Sequence, residues 1–313
     1  MTSPLRPRHD GDTTSARLRR TIPALQFIAS IILLVWLLRD KPLREWGTLL
    51  VNVQWPSVVL LLLLNWLQVG ASGLRWGLIG KSLQLNGGLR DYQQLTFGGF
   101  AVGQLLPSNL FGEVLRFSGL HKHNNWRPLG KSLVIDRIYV QLSWAVLLPL
   151  SLMALSRLIT PTVALTLTAV TITATYQVLK RMRRTWLKRF WGSLSPAVTL
   201  QGLLLSVAVA LLVPLQLLVA ADAMGLTLDP IALLTVTPGF LAMLAVPISF
   251  GGWGIREWAV LILLGPHASS EAQLLSASIL MGAASLLAAL MYVPWLIRSV
   301  LQRRHDVSAT RGL

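Results

Sequence analysis

The sequence predicts an all-α polytopic membrane protein with about six full transmembrane helices and two broken helix hairpins. Three observations support this fold class. Hydrophobic residues make up 53% of the 313 residues, charged residues make up only 13%, and the mean hydropathy is +0.60. Soluble domains carry about 25% charged residues, and a single soluble core stops growing near this length. The composition therefore excludes a cytosolic enzyme, a nucleic-acid-binding protein and a disordered chain.

The strong positive charge has a topological explanation. The chain has 28 Lys and Arg residues against 12 Asp and Glu residues, a net charge of +16. In a soluble protein this excess would suggest nucleic acid, but cytoplasmic loops of membrane proteins collect Lys and Arg. No nucleic-acid partner is therefore expected. The chain has no cysteine, which excludes disulfides, thiolate metal sites and a cysteine nucleophile.

Six apolar segments approach or exceed the roughly 20 residues that a hydrocarbon core requires. The first follows several arginines, as a signal peptide would, but it is long for that role and lacks a cleavage site, which predicts an uncleaved span. The chain is thus divided into a basic cytoplasmic tail (1–20), a membrane domain (21–298) and a cytoplasmic tail (299–313). The predicted spans are Ile22–Leu38, Trp55–Ile79, Ser132–Leu155, Leu158–Leu179, Val198–Ala221 and Ala272–Ile297.

Two further apolar segments, Tyr92–Leu120 and Ile231–Gly265, are interrupted by LLPSNLFGE (105–113) and AVPISFGGWG (245–254). Each could form one kinked helix, two spans or a re-entrant pair of half-helices. If both are re-entrant, both termini are cytoplasmic. The cytoplasmic face then receives 20 Lys and Arg residues and the outer face receives four. Because this distribution follows the positive-inside rule, we favour two re-entrant hairpins.

The two interrupted segments also resemble each other. Residues 99–116 align without gaps to residues 239–256, with five identities in 18 positions. On the favoured topology the hairpins enter from opposite sides, which predicts an inverted repeat of the kind found in transporters. The alternative is that Pro and Gly only kink two packed helices. The predicted helix-break tips are Pro107, Ser108, Asn109 and Gly112, and Pro247, Ser249, Gly251 and Gly252.

Seven charged residues remain inside apolar segments. An unpaired charge at mid-membrane costs roughly 2.5–3.5 kcal/mol, so most should pair or face water. Glu113 and Arg116 have the i,i+3 spacing of one helix face. Adjacent charges point about 100° apart on a helix, so they should pair with other elements. The seven are Arg75, Arg116, Arg137, Arg256, Glu113, Asp136 and Glu257.

These charges are the candidate binding site for a lipid headgroup. Four arginines against three acids leave one positive charge, which suits a phosphate or another anionic headgroup. Arg75 is expected to extend to the membrane surface instead, and Asp136 with Arg137 could form a structural pair. The candidate headgroup-binding residues are Arg116 and Arg256, supported by Glu113, Glu257, Asp136 and Arg137.

Other polar residues suggest no chemistry. The sequence contains no P-loop, nucleophile elbow or zinc motif, so no catalytic residue, metal or cofactor is expected. His121 and His123 flank Lys122 and are expected to lie in a solvated basic loop rather than in a metal site. Asn65 and Gln68 are expected to form hydrogen bonds between helices.

Three motifs, LPSNLFGEVLR (106–116), IDR (135–137) and PISFGGWGIRE (247–257), resemble the lysylphosphatidylglycerol synthase transmembrane-region family of flippase-like integral membrane proteins. Ser108 and Asn109 stand where a Pro-Gly-like turn is expected. The resemblance implies lipid-related work at the bacterial inner membrane, since in the bifunctional members of the family this region is associated with moving a modified phospholipid between leaflets. Only 16 residues follow Ile297, so the soluble aminoacyltransferase domain of bifunctional members, and aminoacyl transfer, are not expected.

The resulting prediction is a lipid translocase, not an enzyme, that moves an anionic or lipid-linked headgroup without ATP hydrolysis. Its expected partners are membrane lipids, either an anionic phospholipid or a polyprenyl-linked glycan, and lipid- or polysaccharide-synthesis enzymes. Two alternatives stay open. One is a membrane enzyme that acts on a lipid with Glu113 or Glu257 as general base. The other is a non-transporting scaffold of a hopanoid or exopolysaccharide assembly complex.

Overall fold

The computed structural model describes residue 32 and residues 53–106, 110–155, 194–244 and 252–295. Within these ranges the chain forms α-helices and one short 3₁₀ turn, Gly265–His267, and no strand. An all-helical protein is therefore confirmed for this part of the chain. The helices are α1 (Trp55–Ser82), α2 (Leu89–Leu105), α3 (Leu110–His121), α4 (Trp126–Leu155), α5 (Pro196–Ala223), α6 (Pro230–Leu244), α7 (Ile255–Leu264) and α8 (Glu271–Leu290).

Three described helices are long and apolar enough to cross a membrane: Trp55–Ser82, Pro196–Ala223 and Glu271–Trp295. They contain three of the predicted spans, the last of them up to residue 295. A fourth predicted span, Ser132–Leu155, lies within the 30-residue helix α4. The predicted spans outside the described residues, apart from residue 32, are Ile22–Leu38 and Leu158–Leu179.

Helices α1 and α5 have the same length, 28 residues, and end in the same turn. In α5 the turn is formed by Gly225 at a φ of 69°, and the Leu226 N–H donates a 2.9 Å hydrogen bond to the Ala221 carbonyl. In α1 the turn is formed by Gln84 at a φ of 55°, and the Leu85 N–H donates to the Gly80 carbonyl, which is also five residues earlier. This six-to-one bond with a left-handed residue is a Schellman cap, which stops each helix.

The first interrupted segment forms two antiparallel helices, α2 and α3. Gly99 of α2 lies against Gly112 of α3, and Leu95 lies against Gly119. In one continuous helix residues 95 and 119 would be about 36 Å apart. The chain therefore reverses direction between α2 and α3, and a single kinked helix is excluded. Helix α3 has 12 residues, so its length of about 18 Å is less than the 30 Å of a hydrocarbon core.

The second interrupted segment also reverses. A Cβ on Gly239 of α6 would lie 3.7 Å from the side chain of Leu263 in α7, although 24 residues separate the two. Two glycines with left-handed backbone, Gly252 at a φ of 86° and Gly254 at 84°, directly precede α7. They form part of the turn that aims α7 back along α6.

The core is organised around α1 and α5, which pack against each other. Helix α4 contacts α5 and α6, while α8 contacts α1 and α2. Polar side chains cross between these helices: Gln216 Nε2 donates to Gln68 Oε1 at 2.6 Å, and Ser285 Oγ donates to Asn65 Oδ1 at 2.9 Å. The expectation that Asn65 and Gln68 form interhelical hydrogen bonds is confirmed.

Candidate functional site

Five charged side chains from α1, α3 and α4 form one connected cluster, which we call the ionic network: Arg75, Glu113, Arg116, Asp136 and Arg137. Its buried centre is Asp136, which is 2% exposed. Arg75 Nε donates to Asp136 Oδ1 at 2.7 Å, and Arg116 Nη2 donates to Asp136 Oδ2 at 3.0 Å. Both carboxylate oxygens thus accept from an arginine, and the interaction joins α1, α3 and α4.

Glu113 extends the ionic network toward the surface of α3 and α4. Arg116 Nη1 donates to Glu113 Oε1 at 3.1 Å, and Arg137 Nη2 donates to the same oxygen. The side-chain exposure rises along this path, from 7% for Arg116 to 22% for Glu113 and 56% for Arg137. The ionic network therefore runs from a buried centre to an accessible guanidinium at its edge.

Helix packing fixes the position of Arg116. Its Cζ lies 4.1 Å from the centroid of the Trp76 ring, and Trp76 is itself held by a 3.1 Å hydrogen bond from Nε1 to Ser132 Oγ. The aromatic face attracts the cation and covers one side of the guanidinium plane. Arg75 is fixed in a similar way by donating from Nη1 to Ser206 Oγ of α5 at 3.0 Å. The two inner arginines are thus held rigidly.

Glycines allow α2 and α3 to approach closely enough to place Arg116. A Cβ on Gly99 would lie 3.3 Å from the Cγ of Arg116 and 3.0 Å from the Gly112 carbonyl oxygen. A Cβ on Gly112 would overlap the carbonyl oxygen of Gly99. Gly99 therefore leaves room for the Arg116 stem, and Gly112 leaves room for the backbone of Gly99.

We expect Gly112→Ala to lower the free energy of unfolding by about 1–3 kcal/mol, because the added methyl forces two backbones apart. Thermal unfolding of the purified protein in detergent measures the change. Gly130→Ala is the matched control, since a Cβ on this helical glycine of α4 meets nothing within 4 Å. Equal changes for the two variants would contradict the close α2–α3 packing.

A second, smaller charge cluster lies on α7, where Arg256 and Glu257 are 4% and 0% exposed. Arg256 Nη2 donates to Glu257 Oε1 at 2.7 Å, and Ser278 Oγ of α8 donates to the same oxygen at 3.3 Å. Glu257 Oε2 accepts from the Gly254 N–H at 2.7 Å, which caps the start of α7. The Arg256 guanidinium lies where a Cβ on Gly282 would be, so α8 leaves room for it.

The two clusters differ in charge. The ionic network contains three arginines and two carboxylates, whereas the α7 cluster contains one of each. Arginine stays protonated in proteins, so with both acids ionised the network carries one positive charge in excess. Within the residues that the structure describes, no hydrogen bond or ion pair connects the two clusters.

Several sequence expectations can be compared directly with these contacts. The i,i+3 pair of Glu113 and Arg116 forms, and the neighbours Asp136 and Arg137 have different partners, as expected. Arg256 and Glu257, by contrast, were expected to pair with other elements and instead bond to each other. The side chains are long enough to bridge the 100° between them at the first turn of α7.

Arg75 requires a correction. The sequence suggested that it extends to the membrane surface, but it is 2% exposed and bonded to Asp136. Sequence reasoning therefore missed it as a member of the site. Its position in an apolar span could have indicated this role, because a buried arginine needs an acidic partner and only three acids lie in apolar segments.

The helix-break tips are only partly described. Gly112 lies inside α3, and Gly252 lies in the turn before α7. The remaining predicted tip residues lie outside the described residues, and they are Pro107, Ser108, Asn109, Pro247, Ser249 and Gly251.

Comparison with known proteins gives one family match. The family model described as lysylphosphatidylglycerol synthase TM region matches residues 24–291. This range includes every described helix that contributes to the two charge clusters. No curated protein matches the chain.

Proposed function

The chain belongs to the lysylphosphatidylglycerol synthase TM region family, and from this premise we propose that it is a lipid translocase. It moves an anionic or lipid-linked headgroup across the bacterial inner membrane without ATP hydrolysis. The family and the apolar helices support a membrane-embedded protein with a lipid-related role. The activity itself is inferred from the charges.

One observation carries the proposal: the ionic network has one positive charge more than its carboxylates balance, and it ends in an accessible guanidinium. Asp136 accepts hydrogen bonds from both inner arginines, while the guanidinium of Arg137 is bonded to Glu113 and is more than half exposed. A planar guanidinium binds phosphate oxygens through paired, charge-assisted hydrogen bonds. The headgroup therefore binds first at Arg137, next to Glu113.

The apolar surroundings of Arg137 suit the rest of a lipid. Val134 lies one helical turn before it on α4 and is exposed, as are Phe111 and Val114 on α3. In this arrangement the acyl chains stay in the bilayer against these side chains while the headgroup enters the polar network. Exposed apolar groups beside a polar site are what an amphipathic substrate requires.

The proposed topology has six full spans and two re-entrant hairpins, α2–α3 and α6–α7, in an inverted repeat with both termini cytoplasmic. The short length of α3 and the reversal of each hairpin support re-entry. The equal lengths and caps of α1 and α5 support the repeat. The helix contacts also support the repeat. The contact of α4 with α6 corresponds to that of α8 with α2, and the contact of α3 with α4 corresponds to that of α7 with α8.

In this mechanism Arg116 and Arg256 stabilise the headgroup as it passes the two hairpins. Glu113 and Glu257 hold the arginines and release them when an anion competes. The predicted helix breaks would supply polar backbone groups to the headgroup, since such groups are tolerated at membrane depth only where they face protein or a polar cavity. Movement is passive or ion-coupled.

A reconstitution assay tests the proposal. The full chain is placed in phosphatidylcholine vesicles with traces of fluorescent phosphatidylglycerol or fluorescent phosphatidylcholine, and dithionite quenching reports transfer between leaflets. We expect faster transfer of the anionic phosphatidylglycerol, and Arg256→Ala should slow it. Protein-free vesicles are the control. A transfer rate no higher than in those vesicles would overturn the translocase assignment, and equal rates for both lipids would contradict an anion-binding site.

A further inference from the structure

A polar cavity of about 490 Å³ lies at the base of the α2–α3 hairpin, away from both charge clusters. It is bounded by the loop after α1 and by the loop that joins α3 to α4. The polar side chains that line it include Gln84, Asn86, His121, Lys122, His123 and Asn125. Neither the ionic network nor the proposed translocation uses these residues.

Cross-loop hydrogen bonds hold the cavity in shape. The Asn86 N–H donates to Asn124 Oδ1 at 2.7 Å, and Asn124 Nδ2 donates back to the Asn86 carbonyl at 2.8 Å. Asn86 Nδ2 also donates to the His123 carbonyl at 3.0 Å. Below the loops, buried Leu85 packs in an apolar cluster with Leu120 and Leu129. The two loops therefore form a preorganised wall rather than two independent segments.

The chemistry of the lining favours an anion. Lys122 contributes a positive charge, and the rings of His121 and His123 contribute N–H donors. The cavity is lined by no Asp or Glu. Because the described residues offer no group of three His, Asp or Glu side chains that could hold a metal ion, an anion explains the two histidines better than a cation does.

We propose that this cavity binds a phosphate group, which belongs either to an anionic phospholipid headgroup or to a soluble phosphate compound. Its volume lies in the range of small-molecule sites and exceeds what a bare ion requires. His121 is the last residue of α3, the helix that also carries Glu113 and Arg116. Five residues of helix, a rise of about 7.5 Å, separate His121 from Arg116, the nearest member of the ionic network on α3. The proposal does not depend on translocation, since the cavity can bind a phosphate whether or not lipid is moved.

The test measures binding of two probes to the full chain in detergent. The first is radiolabelled inorganic phosphate in equilibrium dialysis, and the second is phosphatidylglycerol retained in native mass spectrometry, with phosphatidylcholine as the uncharged reference. We expect Lys122→Gln to weaken binding roughly tenfold, the typical loss for one charge-assisted hydrogen bond. Adding His121→Gln and His123→Gln should abolish it.

Arg127→Gln is the matched control, because it removes one exposed positive charge from the start of α4 without lining the cavity. If Lys122→Gln weakens binding of inorganic phosphate but not of phosphatidylglycerol, the ligand is a soluble phosphate compound. If it weakens binding of phosphatidylglycerol but not of inorganic phosphate, the ligand is a lipid headgroup. The proposal is overturned if the unmodified chain binds neither probe above the reference. It is equally overturned if Arg127→Gln weakens binding as much as Lys122→Gln. If Lys122→Gln loses phosphate binding but still moves lipid, the cavity binds phosphate independently of translocation, as proposed.

Discussion

Replacement of Asp136 by asparagine is expected to lower the free energy of unfolding by about 3–5 kcal/mol, the typical cost of removing one partner from a buried ion pair. The carboxylate accepts from Arg75 and Arg116, and the exposed fractions of these three residues are only 2–6%. Asparagine keeps the shape but removes the negative charge, so two arginines lose their main compensation. Thermal unfolding in detergent measures the loss.

Asp222→Asn is the control for this prediction, because Asp222 is an exposed acid near the end of α5. It should change the unfolding temperature little, since surface charges away from such contacts contribute little. The double variant Arg75→Gln with Asp136→Asn should lose less than the sum of its two single variants, because residues in one ion pair are coupled. Additive losses, or equal losses for Asp136 and Asp222, would contradict the central position of Asp136.

The second large effect is expected on transport. Arg137→Gln should slow phosphatidylglycerol transfer in proteoliposomes about tenfold, because it removes a charge-assisted hydrogen bond to the headgroup. The stability of this variant should change little, since the Arg137 side chain is 56% exposed and, among the described residues, bonds to Glu113 alone. Arg137→Lys should be intermediate, because lysine keeps the charge but lacks the planar fork.

Arg127→Gln is the appropriate comparison for transport as well as for the cavity. It removes the same charge from the same helix, ten residues away from Arg137 and outside the ionic network. If the two variants slow transfer equally, the effect is a general one of surface charge on lipid recruitment, and Arg137 is not the headgroup contact. An unchanged transfer rate in Arg137→Gln would also show that Arg137 is not the headgroup contact.

Local spacing made part of the site predictable. Glu113 and Arg116 are three residues apart on a helix, so their bond follows from helix geometry. Arg75 and Asp136 are 61 residues apart, and no local pattern relates them. Their interaction depends on how α1 packs on α4, which apolar periodicity does not specify. The sequence therefore identified the charges in the membrane segments but assigned Arg75 to the surface.

The two broken segments show a similar limit. A gapless alignment makes Arg116 and Arg256 equivalent, yet Arg116 is the seventh residue of α3 and Arg256 is the second residue of α7. Pro and Gly predicted that each segment is interrupted, and each segment does contribute two separate helices. The number of residues that each turn would use depends on tertiary contacts.

The hydrogen bond that Arg137 donates to Glu113 affects how long a lipid would stay bound. A phosphate that binds Arg137 competes with the Glu113 carboxylate already bonded to Nη2. Where the phosphate takes over that nitrogen, part of its affinity is cancelled by the lost internal bond, and Glu113 remains beside the guanidinium to bond to it again. Such a competing ligand shortens residence time and speeds release. This arrangement would lower the affinity of a receptor, but it would raise the turnover of a protein that must release its lipid in every transport cycle.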